Sequence, residues 1–123
     1  MNDFRNLQVW HKAHALALAV YGVTATFPPE ERYGLVTQLR RAAVSIAANI
    51  AESCGRRTRP DEAHLLQVAL GSASELTSEL LLARDLSYLR DGNDVLLLAA
   101  SAEVIRMLTG LAKRTRARSA ERA

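Results

Sequence analysis

The sequence predicts an all-α domain folded as an antiparallel up-down-up-down four-helix bundle. Three observations point there. Apolar residues recur at three-to-four spacing along four long segments, as amphipathic helices require. Only six glycines and three prolines interrupt 123 residues, which suits long elements joined by short links. The chain is 49% hydrophobic but only 5% aromatic, so its apolar side chains are chiefly Leu, Ala, Val and Ile. Alanine and leucine lose little side-chain freedom in a helix.

The first helix is expected over residues 6–26. Val9, Ala13, Leu16, Val20 and Phe27 form one stripe, with Trp10, His14, Ala17 and Tyr21 along its edge. Phe27-Pro28-Pro29 stops it, because a residue before proline avoids the α region. The second helix is expected to start near Glu30, where Glu30 and Glu31 complement the helix dipole, and to end at Gly55. Its core stripe is Leu35, Leu39, Ala42/Ala43, Ile46, Ile50 and Ser53/Cys54, and it would be roughly 35 Å long.

The third helix is expected from Pro60 or Asp61 to Ser87, proline being tolerated in a first turn. Leu66, Ala69, Ala73, Leu76, Leu80 and Ala83 make its core series, while Leu80, Leu81 and Leu82 place leucine on nearly every side. The fourth begins at Asn93 or Asp94, after the Asp91-Gly92 turn. Leu97, Ser101, Val104, Leu108 and Leu111 form its stripe, with Glu103, Arg106, Gly110 and Lys113 on the opposite, wet face. The bundle domain is therefore residues 1–112. Residues 113–123, KRTRARSAERA, are a basic tail of formal charge +4 that should fray for want of apolar residues.

One domain with one core is the expectation at this length. A net charge of +3 and a pI of about 9.5 permit an acidic partner without requiring one. Nearly all sixteen cations are arginine. The planar guanidinium fork suits phosphate, though a GC-rich coding sequence would favour arginine equally. Cys54 is the single cysteine, so no intrachain disulfide can form. Met1 leads into a polar MNDFRN without a signal-like segment, and no apolar run approaches the roughly 20 residues of a membrane span. The expectation is a cytoplasmic protein without membrane contact.

The back of the second helix carries Tyr33, Thr37, Val44, Ala48 and Ala51, a shallow apolar face where a monomer would place Lys and Glu. With Leu81 and Leu82 on the third helix, this predicts an oligomer interface. The alternative is that alanine merely supplies helix propensity.

Three blocks carry a family resemblance: FPPEERYGL at 27–35, NIAE at 49–52 and ALGS at 69–72. Together with FRNLQVWHKAHALA near the start, they make residues 4–112 resemble the bacterial four-helix-bundle proteins of 23S rRNA intervening sequences. The family more often has Glu-Gly-aromatic-Gly where this chain has Glu52-Ser53-Cys54-Gly55. The resemblance implies a homo-oligomeric bundle, with a homopentameric ring as the expected assembly, and no established activity. The chain is more distantly similar to the accessory variability proteins of diversity-generating retroelements. That likeness implies a reverse transcriptase and nucleic acid as candidate partners.

No catalytic, cofactor or metal site is expected. Asp61-x-x-His64 is the nearest approach to the Glu-x-x-His of a di-iron bundle, and it has no second copy. His11 and His14 can share a helix side, but no further zinc-ligand pair stands out, and His14 suits packing beside Trp10 and Tyr21. Arg56 and Arg57 would lower the Cys54 pKa, but a cysteine ending a core stripe reads as packing. Glu79, one turn from Glu75, should pair with Arg40 or Arg41, within the chain or across a subunit boundary; the alternative is an exposed carboxylate without a partner.

Three basic clusters remain as nucleic-acid candidates: Arg40 and Arg41; the loop Arg56, Arg57 and Arg59; and the tail Lys113, Arg114, Arg116 and Arg118. Up-down topology puts the ends of the second and fourth helices at one pole, joining loop and tail. Phosphate contacts there would give salt-dependent, sequence-tolerant binding. Two functional readings follow: a non-enzymatic oligomer binding nucleic acid or a nucleoprotein through that pole, or a protein-binding scaffold without nucleic acid.

Overall fold

The computed structural model describes residues 3–122, with side-chain surroundings for 3–118. Four α-helices run α1 Gln8–Thr24, α2 Leu35–Ser53, α3 Arg59–Asp85 and α4 Asn93–Arg122. Single 3-10 turns precede α1 (Phe4–Asn6) and α2 (Pro29–Glu31). Consecutive helices pack side by side and α1 returns to pack on α4, closing an antiparallel bundle.

The sequence stripes are the core. Val9, Ala13, Leu16, Val20 and Phe27 are buried on the α1 side, and Leu35, Leu39, Ala42, Ala43, Ile46 and Ile50 on α2. Leu66, Ala69, Ala73, Leu76, Leu80 and Ala83 of α3 are wholly buried. Alanines at these positions let helix axes approach closely, and the α2–α3 contact is the most extensive in the bundle. Two hydroxyl pairs fix the register. Ser45 bonds Ser72 at 2.8 Å between α2 and α3, and Thr77 bonds buried Ser101 at 2.6 Å between α3 and α4.

Four local features differ from expectation. α2 begins at Leu35, not near Glu30. The Pro28-Pro29 pair and the non-helical Gly34 (φ −110°, ψ −108°) hold Pro29–Glu31 as a separate 3-10 turn. Glu31 then serves α2 from outside. Its Oε1 accepts from the Leu35 N–H at 3.4 Å, and its Oε2 accepts from the Tyr88 hydroxyl at 3.0 Å. Tyr88 also packs on Phe27, 5.1 Å between ring centroids, so the α3–α4 link secures the α1–α2 link.

α4 also outlasts the expected boundary at residue 112. Ala112 and Thr115 are both fully buried, continuing the stripe of Leu97, Ser101, Val104 and Leu108. Thr115 returns its hydroxyl proton to the Leu111 carbonyl at 3.0 Å, so a polar residue fills a core position at small cost. Residues 113–118 are therefore helical, and the side chains of Glu121 and Arg122 lie outside the described residues.

The expected wet face of α4 is likewise partly packed. Glu103 pairs with Lys12 of α1 at 3.2 Å, and Gly110 borders Leu7 and Gln8. Finally, α4 carries an 18-residue stretch that would pass for a membrane span by length and composition, contrary to the expectation that none comes close. Its core stripe is spent on α1 and α3.

The α3 exit is a Schellman turn. The Tyr88 N–H bonds the Ala83 carbonyl and the Ser87 N–H bonds the Arg84 carbonyl, both at 2.9 Å. Ser87 sits at φ 64°, where a Cβ is strained. Replacing it by glycine, Ser87→Gly, should raise unfolding free energy by about 0.5–1 kcal/mol. A denaturant melt with no gain would contradict that assignment of strain.

Candidate functional site

Three surface features converge on function, each set by the bundle geometry. The first is an apolar groove of about 420 Å³ between the outer sides of α1 and α2. Ala17, Leu18 and Tyr21 of α1 face Val44, Ala47, Ala48 and Ala51 of α2, with Phe4, Trp10 and His14 at one end. Phe4 packs on Trp10 at 4.9 Å, and the His14 imidazole stacks on the Trp10 indole at 4.8 Å with the rings 16° apart. Leu18 is 63% exposed and Val44 46%.

Of the expected interface residues, Val44, Ala48 and Ala51 line this groove. Thr37 sits farther along the same side in a shallow notch with Tyr21 and Arg41, and Tyr33 borders the α1–α2 link. Leu81 and Leu82 are exposed on α3, outside this groove. The α1 half was not among the expected interface residues. Its signal was present, because Trp10, His14, Ala17 and Tyr21 line the edge of the α1 stripe.

The second feature is the basic pole. The 3-10 turn before α1, the α2–α3 loop and the last turns of α4 meet there, Leu7, Gln8 and Val9 lying against Arg106, Met107 and Arg114. Several cations are already matched. Arg5 pairs with Asp3 at 2.8 Å, Arg59 with Glu62 at 3.1 Å, and Arg56 with Glu52. The guanidinium of Arg5 also holds the Asp3 carboxyl below its usual pKa. Arg57, Lys113, Arg114, Arg116 and Arg118 are exposed and make no ion pair among the described residues.

Arg40 and Arg41 do not join that pole. About 20 Å of helix separates Arg40 from the end of α2 at Ser53. Arg40 is instead a tie to α1: its Nε donates to Thr24 Oγ1 at 2.9 Å and its guanidinium lies over the Tyr21 ring at 4.4 Å. Arg41 is exposed on the outer side of α2.

The third feature is a carboxylate pair. Glu79 is half-buried beside Glu75 on α3, and its Oε2 is shielded from solvent without a hydrogen-bond partner among the described residues. Burial, reinforced by the Glu75 carboxyl, raises the Glu79 pKa to about 7. No ion pair joins it to Arg40 or Arg41 within the chain, so the intrachain form of the expected pairing is not found. Arg40 is turned to α1 instead.

The candidate chemistry is sparse. Among the described residues no three His, Cys, Asp or Glu cluster closely enough to hold a metal ion. His11 donates from Nε2 to the Arg5 carbonyl at 2.7 Å, and His64 is exposed. Burial raises the Cys54 thiol pKa, overturning the expected lowering by Arg56 and Arg57; Arg56 is paired with Glu52, and acids at Glu62 and Asp3 add to the rise. The thiolate is thus disfavoured.

The Glu79 shift has a stability consequence. Its pKa is raised from 4.5 to about 7, so the folded chain disfavours the charged form. Its contribution is best below pH 4.5, declines as pH rises toward 7 and stays low above that. Glu79→Gln mimics the protonated form. It should raise the melting temperature at pH 8 and leave it unchanged near pH 4.5, measured on chain dilute enough to be monomeric. Equal effects at both pH values would refute this.

A crystal structure of a protein of unknown function from the S23 ribosomal protein family of Bacteroides thetaiotaomicron superposes with a TM-score of 0.78. It is 24% identical, and the match covers 85% of this chain and 95% of that one, which shows a shared fold. No curated protein sequence matches the chain. The model of one family, described as 23S rRNA-intervening sequence protein, matches residues 5–110. That match takes in the core stripes of α1 to α3, the α4 stripe as far as Leu108, all of the groove but Phe4, and the Glu75–Glu79 pair, and the chain therefore belongs to the 23S rRNA-intervening sequence protein family.

Proposed function

We propose that this protein is a non-catalytic, self-associating helical module whose α1–α2 groove is covered by further copies of itself. A homopentameric ring is the assembly the family resemblance implies. The observation that carries the reading is the groove. Its lining is almost wholly apolar and brings Leu18, Tyr21, Val44 and Ala48 to the surface together, where an isolated helix bundle places charge. Val44→Glu combined with Ala48→Glu should convert a multimer into a 13.5 kDa species by light scattering, with helicity retained. A wild-type chain that is monomeric at every concentration would end this proposal.

A second reading concerns what the assembly touches. The unpaired cations at the basic pole, repeated by symmetry, suit the phosphates of a nucleic acid or of a nucleoprotein, such as a reverse transcriptase with its template. Arg57 is the discriminating residue because its neighbours Arg56 and Arg59 are neutralised by Glu52 and Glu62. Fluorescence anisotropy with labelled RNA and DNA should show affinity falling with salt. Arg57→Ala should lower the log–log slope by about 0.9 for each duplex-DNA phosphate that the arginine neutralises. Absence of binding at low salt would favour the scaffold without nucleic acid.

A further inference from the structure

Beside their core stripes, α2 and α3 each carry a second seam at alternating four-and-three spacing. On α2 it is Thr37, Arg41, Val44, Ala48 and Ala51. On α3 it is Val68, Ser72, Glu75, Glu79 and Leu82, continued by Leu86 just past the helix end; Val68, Leu82 and Leu86 are 39%, 52% and 44% exposed. Such spacing is what one helix presents to a partner helix. Each seam holds an ionisable group without a match: Arg41 makes no hydrogen bond or ion pair among the described residues, and Glu79 has a shielded Oε2 without a hydrogen-bond partner among them.

The heights of these groups agree. The Ser45–Ser72 bond sets α2 and α3 level at those residues. Because the helices are antiparallel, Arg41 is then level with Leu76, between Glu75 and Glu79. Val44 and Ala48 are level with Ala73 and Ala69, next to Ser72 and Val68. Rotation about an axis along the bundle leaves heights unchanged. A neighbouring copy so related brings its α3 seam to the α2 seam with Arg41 already opposite the two carboxylates.

We infer that the α3 seam of one copy docks on the α2 seam of the next, with Arg41 of the first subunit satisfying Glu79 and Glu75 of the second. The contact joins two different surfaces, so it is heterologous and propagates head to tail. Such a contact closes into a ring where the rotation between copies divides a full turn, as the pentamer that the family resemblance implies would require. Val68 and Leu82 bracket the charges with apolar surface and exclude water from the pair. This inference rests on the self-association proposed above and specifies which groups direct it.

Charge reversal tests it. Arg41→Glu and Glu79→Arg should each weaken association by about tenfold or more, read as mass against concentration by sedimentation velocity. The double variant R41E/E79R, in which every contact carries the exchanged pair, should recover the wild-type mass. Far-ultraviolet circular dichroism confirms that each variant is folded; Arg41→Ala and Glu79→Gln replace any reversal that is not. Wild-type mass in the single variants would overturn the pairing while leaving self-association standing, as it would if Arg41 met Glu79 within its own chain. Failure of the double variant to recover would overturn it equally. A monomeric wild type would overturn both readings.

Discussion

The close approach of α2 to α3 is the constraint on which the rest depends. Alanines at 42 and 43 on one helix and at 69 and 73 on the other are buried to 4% or less. Larger side chains there would push the axes apart. The Ser45–Ser72 bond then removes the freedom to slide. With these two helices fixed in separation and height, α1 and α4 have one groove each to fill. The outward residues of α2 and α3 consequently stand at defined levels.

That rigidity shapes the surface. The four helices use their core stripes among themselves, and the leftover apolar residues lie where α1 meets α2, along α3 and, as Val95 and Leu96, in the first turn of α4. Charge is sorted by the same geometry. The up-down path collects the α2–α3 loop and the α4 terminus at one end. The other end is held by Tyr88, Phe27 and Glu31 through packing and hydrogen bonds. Among the described residues the fully buried hydroxyls of Ser101 and Thr115 bond another hydroxyl or a backbone carbonyl, and that of Thr24 also accepts from Arg40.

Much of the fold was legible in the sequence because helical periodicity is a direct consequence of burying one side of a helix. The stripes of α1, α2 and α3 could be read residue by residue. What escaped reading depended on partners distant in sequence. Glu31 looked like a first-turn acid of α2, and only the arrival of Tyr88, 57 residues on, makes it a bridge between links. Thr115 looked like part of a polar tail because its burial depends on neighbouring helices and its hydroxyl is satisfied by its own backbone. The groove was half visible: the small residues of α2 announced a surface, while the aromatic half on α1 resembled the edge of a core stripe. The arginines were the least legible. Composition placed them in clusters, but which are free depended on salt-bridge partners such as Glu52 and Glu62 and on the ring of Tyr21.

The buried contact of Thr77 with Ser101 carries an implication for folding fidelity. Thr77 donates to the Ala73 carbonyl, so Ser101 supplies the proton of the interhelical bond. A core of leucine and alanine alone tolerates α4 shifted by a turn, since one apolar surface resembles the next. With Ser101 fully enclosed, any such shift takes its hydroxyl away from Thr77 and forfeits the interhelical bond, at about 0.5–1.5 kcal/mol. The hydroxyl acts as a proofreading element that selects a single alignment of α4.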